Sequence, residues 1–386
     1  MRMQTFTFKV RNLFVLVMLL CGVSSRAAED LITQQITINV AEAGTLSGKI
    51  GTNKMYKITN LKLTGFLNGL DIAFIRNISG DGCHLEILDM SEAQIVYGGR
   101  YKTYCTCSAN EIGNGMFQDC KSLKTIIVPS SVKRIWFDAF RDCTNLTTFV
   151  IPDGITSIDM GTFMECTNLE KVSIPNSVVE IGMDAFQGCT SLKSLDIPNS
   201  VTKIEMSAFK KCESLESIKL PKDLKVISEY VFWGCKKISA IQIPQSVTDI
   251  GILAFGDCLE LSSFIIPQNV KSLGDGCFRN CSKLQSIYVY SDNVLNVGDN
   301  AFKGCDKEKC MVYIPKGTYN DYWLTEFSYF DNLIEFDATS VNSIPTSLSA
   351  KQLSRYSVNG QRLAFPVKGL NIVKYSDGSV RKEILK

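Results

Sequence analysis

Between Phe117 and Cys305 the apolar positions of the chain recur on a step of 23 residues. Phenylalanines stand at Phe117, Phe140, Phe163, Phe186, Phe209, Phe232, Phe255 and Phe278, each followed three residues later by a cysteine, from Cys120 to Cys281. Prolines keep the same step from Pro129 to Pro267, and a ninth unit, Phe302 to Cys305, arrives one residue late. The unit after Cys166 shows the pattern in full. Leu169, Val172 and Ile174 precede Pro175; Val178 and Ile181 follow it; Ala185-Phe186 and Cys189 close the unit.

A fixed period of this size is the mark of a solenoid, in which each coil buries its apolar face only against its neighbours. Alternation puts Val172 and Ile174 inward and Ser173 outward, so the stretch before the proline reads as a strand. Proline ends that strand because it has no amide proton for a ladder. Val178 to Ile181 reads as a second short strand, and Ala185-Phe186 to Cys189 as a single helical turn that brings the chain back. Because the inward positions never leave register, strands of successive coils are expected to pair in parallel.

The Leu-x-x-Val-x-Ile strand, the Ile-Pro step and the Ala-Phe-x-x-Cys return, from Ile58 to about Phe336, resemble the BspA-like (Treponema pallidum type) leucine-rich repeat proteins. The resemblance implies a right-handed, curved parallel β solenoid on a secreted or surface-displayed protein, often concerned with adhesion. It implies no reaction and no cofactor.

Around the regular coils the chain divides as follows. Residues 1–27 read as a secretory signal: Arg2, Lys9 and Arg11 precede the apolar run Leu13 to Leu20, and Ser25-Arg26-Ala27 offers small residues for cleavage near Ala28. Cys21 follows leucine rather than a small residue, which argues against lipidation. No later run is long enough to span a bilayer. Residues 28–57 are expected to cap the first coil, because a bare end would leave apolar side chains and a strand edge in water. Degenerate coils occupy 58–116, with an insertion at 92–107 that carries Tyr97, Tyr101, Tyr104, Cys105 and Cys107. Such an insertion is either a projecting loop with tyrosine anchors or an embellishment folded over the first coils; the second reading is preferred. Regular coils run over 117–315. The aromatic-rich stretch 316–336 is expected to cap the far end with a short helix, 337–352 reads as a linker, and 353–386 as a small β tail with turns at Asn359-Gly360 and Asp377-Gly378. The tail resembles C-terminal segments of secreted Bacteroidetes proteins, some of which direct export, although Asn371 stands where those commonly have tyrosine.

Charge and chemistry narrow the picture by exclusion. A net charge of +2 without a basic run gives no electrostatic footprint for nucleic acid. The single histidine, His84, lies in no motif, which removes most triads and zinc sites. Glycosidases need only two carboxylates, but Glu170, Asp196 and Glu216 fall at variable, solvent-facing positions. The cysteines from Cys120 to Cys305 are one coil apart with parallel side-chain vectors, a spacing of about 4.8 Å against the roughly 3.8 Å between Cβ atoms of a disulfide. They are expected to be buried free thiols acting as small hydrophobes. Cys83, Cys105 and Cys107 lie outside this ladder and are free to pair with one another. The phenylalanines should stack along the solenoid axis, while Phe137, Met160, Met183, Met206 and Ile252 should form a half-buried stripe in the return turn.

The expected function is therefore non-enzymatic binding of a protein or extended glycan along a concave sheet. Its outward row reads Ile127, Val150, Ser173, Asp196, Lys219, Gln242, Ile265 and Tyr288, with Lys171 in the adjoining row and Tyr290 beyond. Lys171, Asp196, Lys219, Gln242, Tyr288 and Tyr290 are the candidate ligand-binding residues. The rival reading is an outer-membrane protein that captures or processes glycans, for which Tyr288, Tyr290 and Trp233 supply the aromatics. Either reading places the protein outside the cytoplasm, on the cell surface, in the medium or in the periplasm.

Overall fold

An inward Ile, Val, Leu or Phe at every second position before the proline is sufficient to set a strand, and the first-row strands of the regular coils, from Thr125–Ile127 to Met311–Pro315, take only three to five residues each. The computed structural model describes residues 31–291 and 293–337, and in the C-terminal segment 352–357, 361–363, 369–375 and 380–385. The signal-like residues 1–27 and most of the linker 337–352 lie outside the described residues.

The strands before the prolines form the first row. Ile36–Val40, Asn60–Leu67, Ile87–Ile95, Thr125–Ile127, Thr148–Val150 and Lys171–Ser173 lie side by side in that order, all parallel. The row continues as Ser194–Asp196 on Ser217–Lys219, then as Ser263–Ile266, Ser286–Val289, Met311–Pro315 and Asn332–Phe336. Between them, Ile241 and Ile243 are buried as expected, yet Ala240–Gln242 form no ladder strand; Ser262 N and Oγ donate to Ser239 O at 3.0 and 3.2 Å, and return-segment bonds such as Phe232 N to Ala254 O at 2.9 Å hold that coil to the next. The second strands, such as Ser157–Ile158, Glu180–Ile181 and Lys203–Ile204, make a separate parallel row. Both rows agree with the period of 23.

The return segment departs from expectation. Instead of a helical turn it is a run of tight turns with a left-handed residue on each side of the phenylalanine: Asp138 (φ 53°) and Asp142 (φ 58°) around Phe140, Ser207 and Lys211 (both φ 58°) around Phe209. A helix needs consecutive residues near φ −60°. When right- and left-handed residues alternate, every second amide points the same way, here toward the next coil. Gly115 N, Phe117 N and Asp119 N donate to Phe137 O, Ala139 O and Arg141 O at 2.8–2.9 Å. The return segment is thus a third inter-coil ladder.

Inside, the phenylalanine rings from Phe117 to Phe302 stack at 5.4–5.8 Å between centroids, with planes within 4–16° of parallel. All nine are fully buried. Phe327 and Phe330 cover the last ring, at 4.9 and 5.0 Å from Phe302. They come from the stretch that holds the expected short helix, Tyr319–Trp323, and a 3-10 turn, Glu326–Tyr329. At the other end two helices, Leu46–Ile50 and Gly69–Ile78, take the place of return segments. The buried Asp71 joins them: its carboxylate accepts from Gly44 N and Leu46 N as well as from Asn68 N. From the last turn of the longer helix, Arg76 Nη1 donates to the carbonyls of Gly115, Met116 and Gln118 at 2.9–3.0 Å. Those bonds tie the helix to the first regular return segment.

The insertion is a hairpin, Gly98–Lys102 on Cys105–Cys107, folded over these first coils. Gly99 rests so closely on Gly69 that a Cβ at either position would collide with the other's backbone. Tyr101 is buried, and its hydroxyl donates to Asn114 O at 3.2 Å. Cys83, Cys105 and Cys107 are free thiols. The C-terminal segment forms its own antiparallel sheet in the order Arg362–Leu363, Gln352–Ser357, Gly369–Tyr375, Val380–Leu385.

Candidate functional site

The first-row sheet presents its outward residues in file because each strand pairs with the same residue of the next coil. Asp196 lies opposite Lys219, Ser173 opposite Val150, and Ile265 opposite Tyr288. Lys171, Asp196, Lys219 and Gln242 are all exposed, so the middle of the sheet is polar. Ile127 and Val150 are 44% and 69% exposed, an uncommon exposure for aliphatic strand residues, and they make the N-terminal part of the row apolar.

At the C-terminal part the two tyrosines named from the sequence are half-buried and belong to a larger cluster. Tyr288 stacks on Tyr313 at 4.5 Å with planes 4° apart, and both present their faces or edges to Phe336 at 6.5 and 6.4 Å. Tyr290 meets Phe336 edge-on at 5.3 Å, and burial pushes its hydroxyl pKa up. Tyr313 and Phe336 were not singled out from the sequence. Their signal was the register itself, since Tyr313 is the residue opposite Tyr288 and Phe336 closes the next strand.

Other candidates fall elsewhere. Trp233 lies on the return side, under Lys210 Nζ (5.4 Å) and Lys211 Nζ (5.8 Å). Glu170, Asp196 and Glu216 are exposed, as a solvated face requires. His84 is half-buried just before the buried Leu85. Tyr97 and Tyr104, at 79% and 94% exposure, are the hairpin's outward residues, while Tyr101 is its anchor. Met160 is 41% exposed, with Met183 and Met206 half-buried, as the return-turn stripe predicts. Among the described residues no group of three or more His, Cys, Asp or Glu side chains is placed to hold a metal ion, and no helix is long and apolar enough to cross a membrane.

The cysteine ladder does more than fill space. Each thiol donates to the phenylalanine carbonyl of the preceding coil, from Cys143 Sγ to Phe117 O (3.0 Å) through Cys305 Sγ to Phe278 O (3.3 Å). Burial pushes the pKa of Cys120 up to about 11 and of Cys305 to about 12, and those of Cys143, Cys189, Cys235 and Cys281 well above the ordinary value. These are inert structural thiols rather than nucleophiles.

No curated protein matches the chain. Among solved structures it is similar to a leucine-rich repeat protein from Bacteroides ovatus, at 28% identity over 61% of this chain and 67% of that one, with a TM-score of 0.47. A leucine-rich repeat protein of T. pallidum matches at 34% identity over 47% of this chain and 85% of that one, TM-score 0.40. A leucine-rich cell-surface protein from Faecalibacterium prausnitzii matches at 20% identity over 78% and 82%, TM-score 0.35. The family profile of the BspA-type leucine-rich repeat region, six copies long, matches residues 110–239 and again 202–329. Those spans cover the coils whose proline, phenylalanine and cysteine ladders are described above, and the chain belongs to the BspA-type leucine-rich repeat proteins.

Proposed function

We propose that this protein is exported, displayed at the cell surface, and binds a protein or other extended polymer along its first-row sheet without catalysing a reaction. The observation that carries this reading is the order of the outward row: exposed aliphatics at Ile127 and Val150, polar groups at Lys171, Asp196, Lys219 and Gln242, and aromatics at Tyr288 and Tyr290. A polymer lying along the coils would meet apolar anchors at both ends and hydrogen-bonding groups between, the arrangement of hot spots among weaker contacts. Export is supported by the signal-like residues 1–27. Adhesion follows as the role of a surface protein with such a sheet.

Capture of a glycan is the second reading, favoured by the Tyr288–Tyr313 stack, whose flat rings suit sugar faces. One experiment serves both. Protein beginning at Ala28 is screened against host matrix proteins and a glycan array, and the hit is measured again with Asp196→Lys, Lys219→Glu and Tyr288→Ala combined. Loss of binding with an unchanged melting temperature supports the sheet. Survival of binding in that variant, with loss on deleting residues 97–107, would transfer the site to the hairpin.

A further inference from the structure

On the return side, the residue after each core phenylalanine carries a long side chain in most coils, among them Lys210, Trp233, Arg279 and Lys303. Gly256 interrupts this file, and beside it lies a hollow of about 310 Å³ open to solvent, within the range of small-ligand sites. Trp233 leans over the glycine: a Cβ there would lie 2.8 Å from the indole Cδ1 and 3.3 Å from Nε1. Leu253, Tyr230, Arg279, Asp257 and Asn280 line the hollow with Trp233.

The polar groups of this hollow are mostly donors. Among the described residues the Arg279 guanidinium and the Trp233 Nε1–H have no hydrogen-bond or ion-pair partner. Lys210 Nζ sits above both rings, 5.8 Å from Tyr230 and 5.4 Å from Trp233, adding positive charge at the rim. The one carboxylate, Asp257, is already engaged, since Asn280 Nδ2 donates to its Oδ1 at 2.8 Å. A ligand that satisfies this set brings an anionic acceptor for the guanidinium fork and a flat, partly apolar ring for the indole. Beyond Arg279 a smaller hollow of about 180 Å³ is lined by Asp275 and Asp299 together with Arg279 and Lys303, so its charges balance.

We propose that this hollow is a second binding site, independent of the sheet, that takes a uronic acid unit of an acidic glycan. The carboxylate pairs with Arg279, and the ring lies on Trp233 and Leu253.

The test is a binding titration of the whole protein with a short oligosaccharide of alternating glucuronate and N-acetylglucosamine, with its carboxyl-reduced form, and with polyglutamate. The acidic oligosaccharide is expected to bind the native protein. Arg279→Gln should weaken it about ten- to a hundredfold, the range for a charged hydrogen-bonded pair, down to the level of the reduced form. Gly256→Val, whose side chain would press on Trp233 and Leu253 and displace the indole, should weaken both sugar forms, and Lys219→Glu on the other face should change neither. Absence of binding to the native protein, equal affinity in Arg279→Gln, or tighter binding of polyglutamate than of the sugar would overturn the proposal. Because Lys219→Glu tests the sheet and Arg279→Gln the hollow, failure of one reading is distinguishable from failure of the other.

Discussion

The thiol of Cys212 donates to the carbonyl oxygen of Phe186 in the preceding coil, 3.2 Å away, and the same bond recurs in the ladder from Cys143 to Cys305. That carbonyl also accepts from Cys189 N at 3.1 Å, so the thiol adds a second, weak bond to an acceptor with two lone pairs. Cysteine suits the position as a small apolar side chain that brings a weak donor, and oxidation would remove that donor. We expect the ladder to resist thiol reagents in the native protein and to react fully in denaturant. Mass spectra showing Cys189 bonded to Cys212 would contradict this.

Alkali should unfold the protein through the same thiols. Burial raises the folded pKa of Cys120 to about 11 and of Cys305 to about 12 from an ordinary thiol value of 9.0. A raised folded pKa means that the unfolded chain loses its proton first, so the contribution is complete below pH 9 and is lost as pH rises toward 11 and 12. The urea midpoint should fall over that window. A Cys189→Ala, Cys212→Ala double variant should fall less steeply, and parallel curves for the two proteins would argue that other groups control the transition.

Replacing Phe209 by Ala should cost about 3–5 kcal/mol, since its ring is fully buried between Phe186 and Phe232. Phe302 has one such neighbour and the tilted rings of Phe327 and Phe330 on its other side. Phe302→Ala should therefore fray the last coils and leave the centre protected. Hydrogen exchange that shows the same loss of protection everywhere in both variants would contradict coupling restricted to neighbouring coils.

What the sequence revealed follows from how each contact is encoded. Parallel pairing, the phenylalanine stack and the inward strand positions are carried by identical residues at a constant step, so periodicity alone exposes them. The Cys212 bond to Phe186 O was not legible, because its acceptor is backbone and leaves no side-chain signature. The aromatic cluster at Phe336 was legible only for Tyr288 and Tyr290, because Phe336 reaches them through a strand outside the regular period. The hollow at Gly256 was missed because an absent side chain makes no pattern until Trp233 is seen to lean over it. The return segment was misread as helical because Ala-Phe-x-x-Cys also suits one helical turn. The contrary signal was the recurrence of Asp, Asn and Gly at most of the positions two residues before and after the phenylalanines.

That recurrence supplies the last prediction. Asp and Asn tolerate the left-handed region better than most residues, and glycine adopts it without a steric penalty. Lys211 occupies such a position at φ 58°, where its neighbours in file are Gly188 and Gly234, both at φ 74°. Its amide donates to Trp233 O at 2.7 Å, so the conformation is held by the inter-coil ladder rather than by the lysine side chain. For an L-residue the left-handed conformation costs roughly 1–2 kcal/mol, part of which a glycine returns as greater freedom in the unfolded chain. Lys211→Gly should therefore stabilise the protein by several tenths to about 1 kcal/mol. Lys211→Val, which adds a branched Cβ at the same φ, should destabilise it by about 1–2 kcal/mol. Thermal midpoints of the two variants should bracket that of the native protein; a drop for the glycine variant would mean that the lysine side chain, and not the backbone ladder, holds this turn.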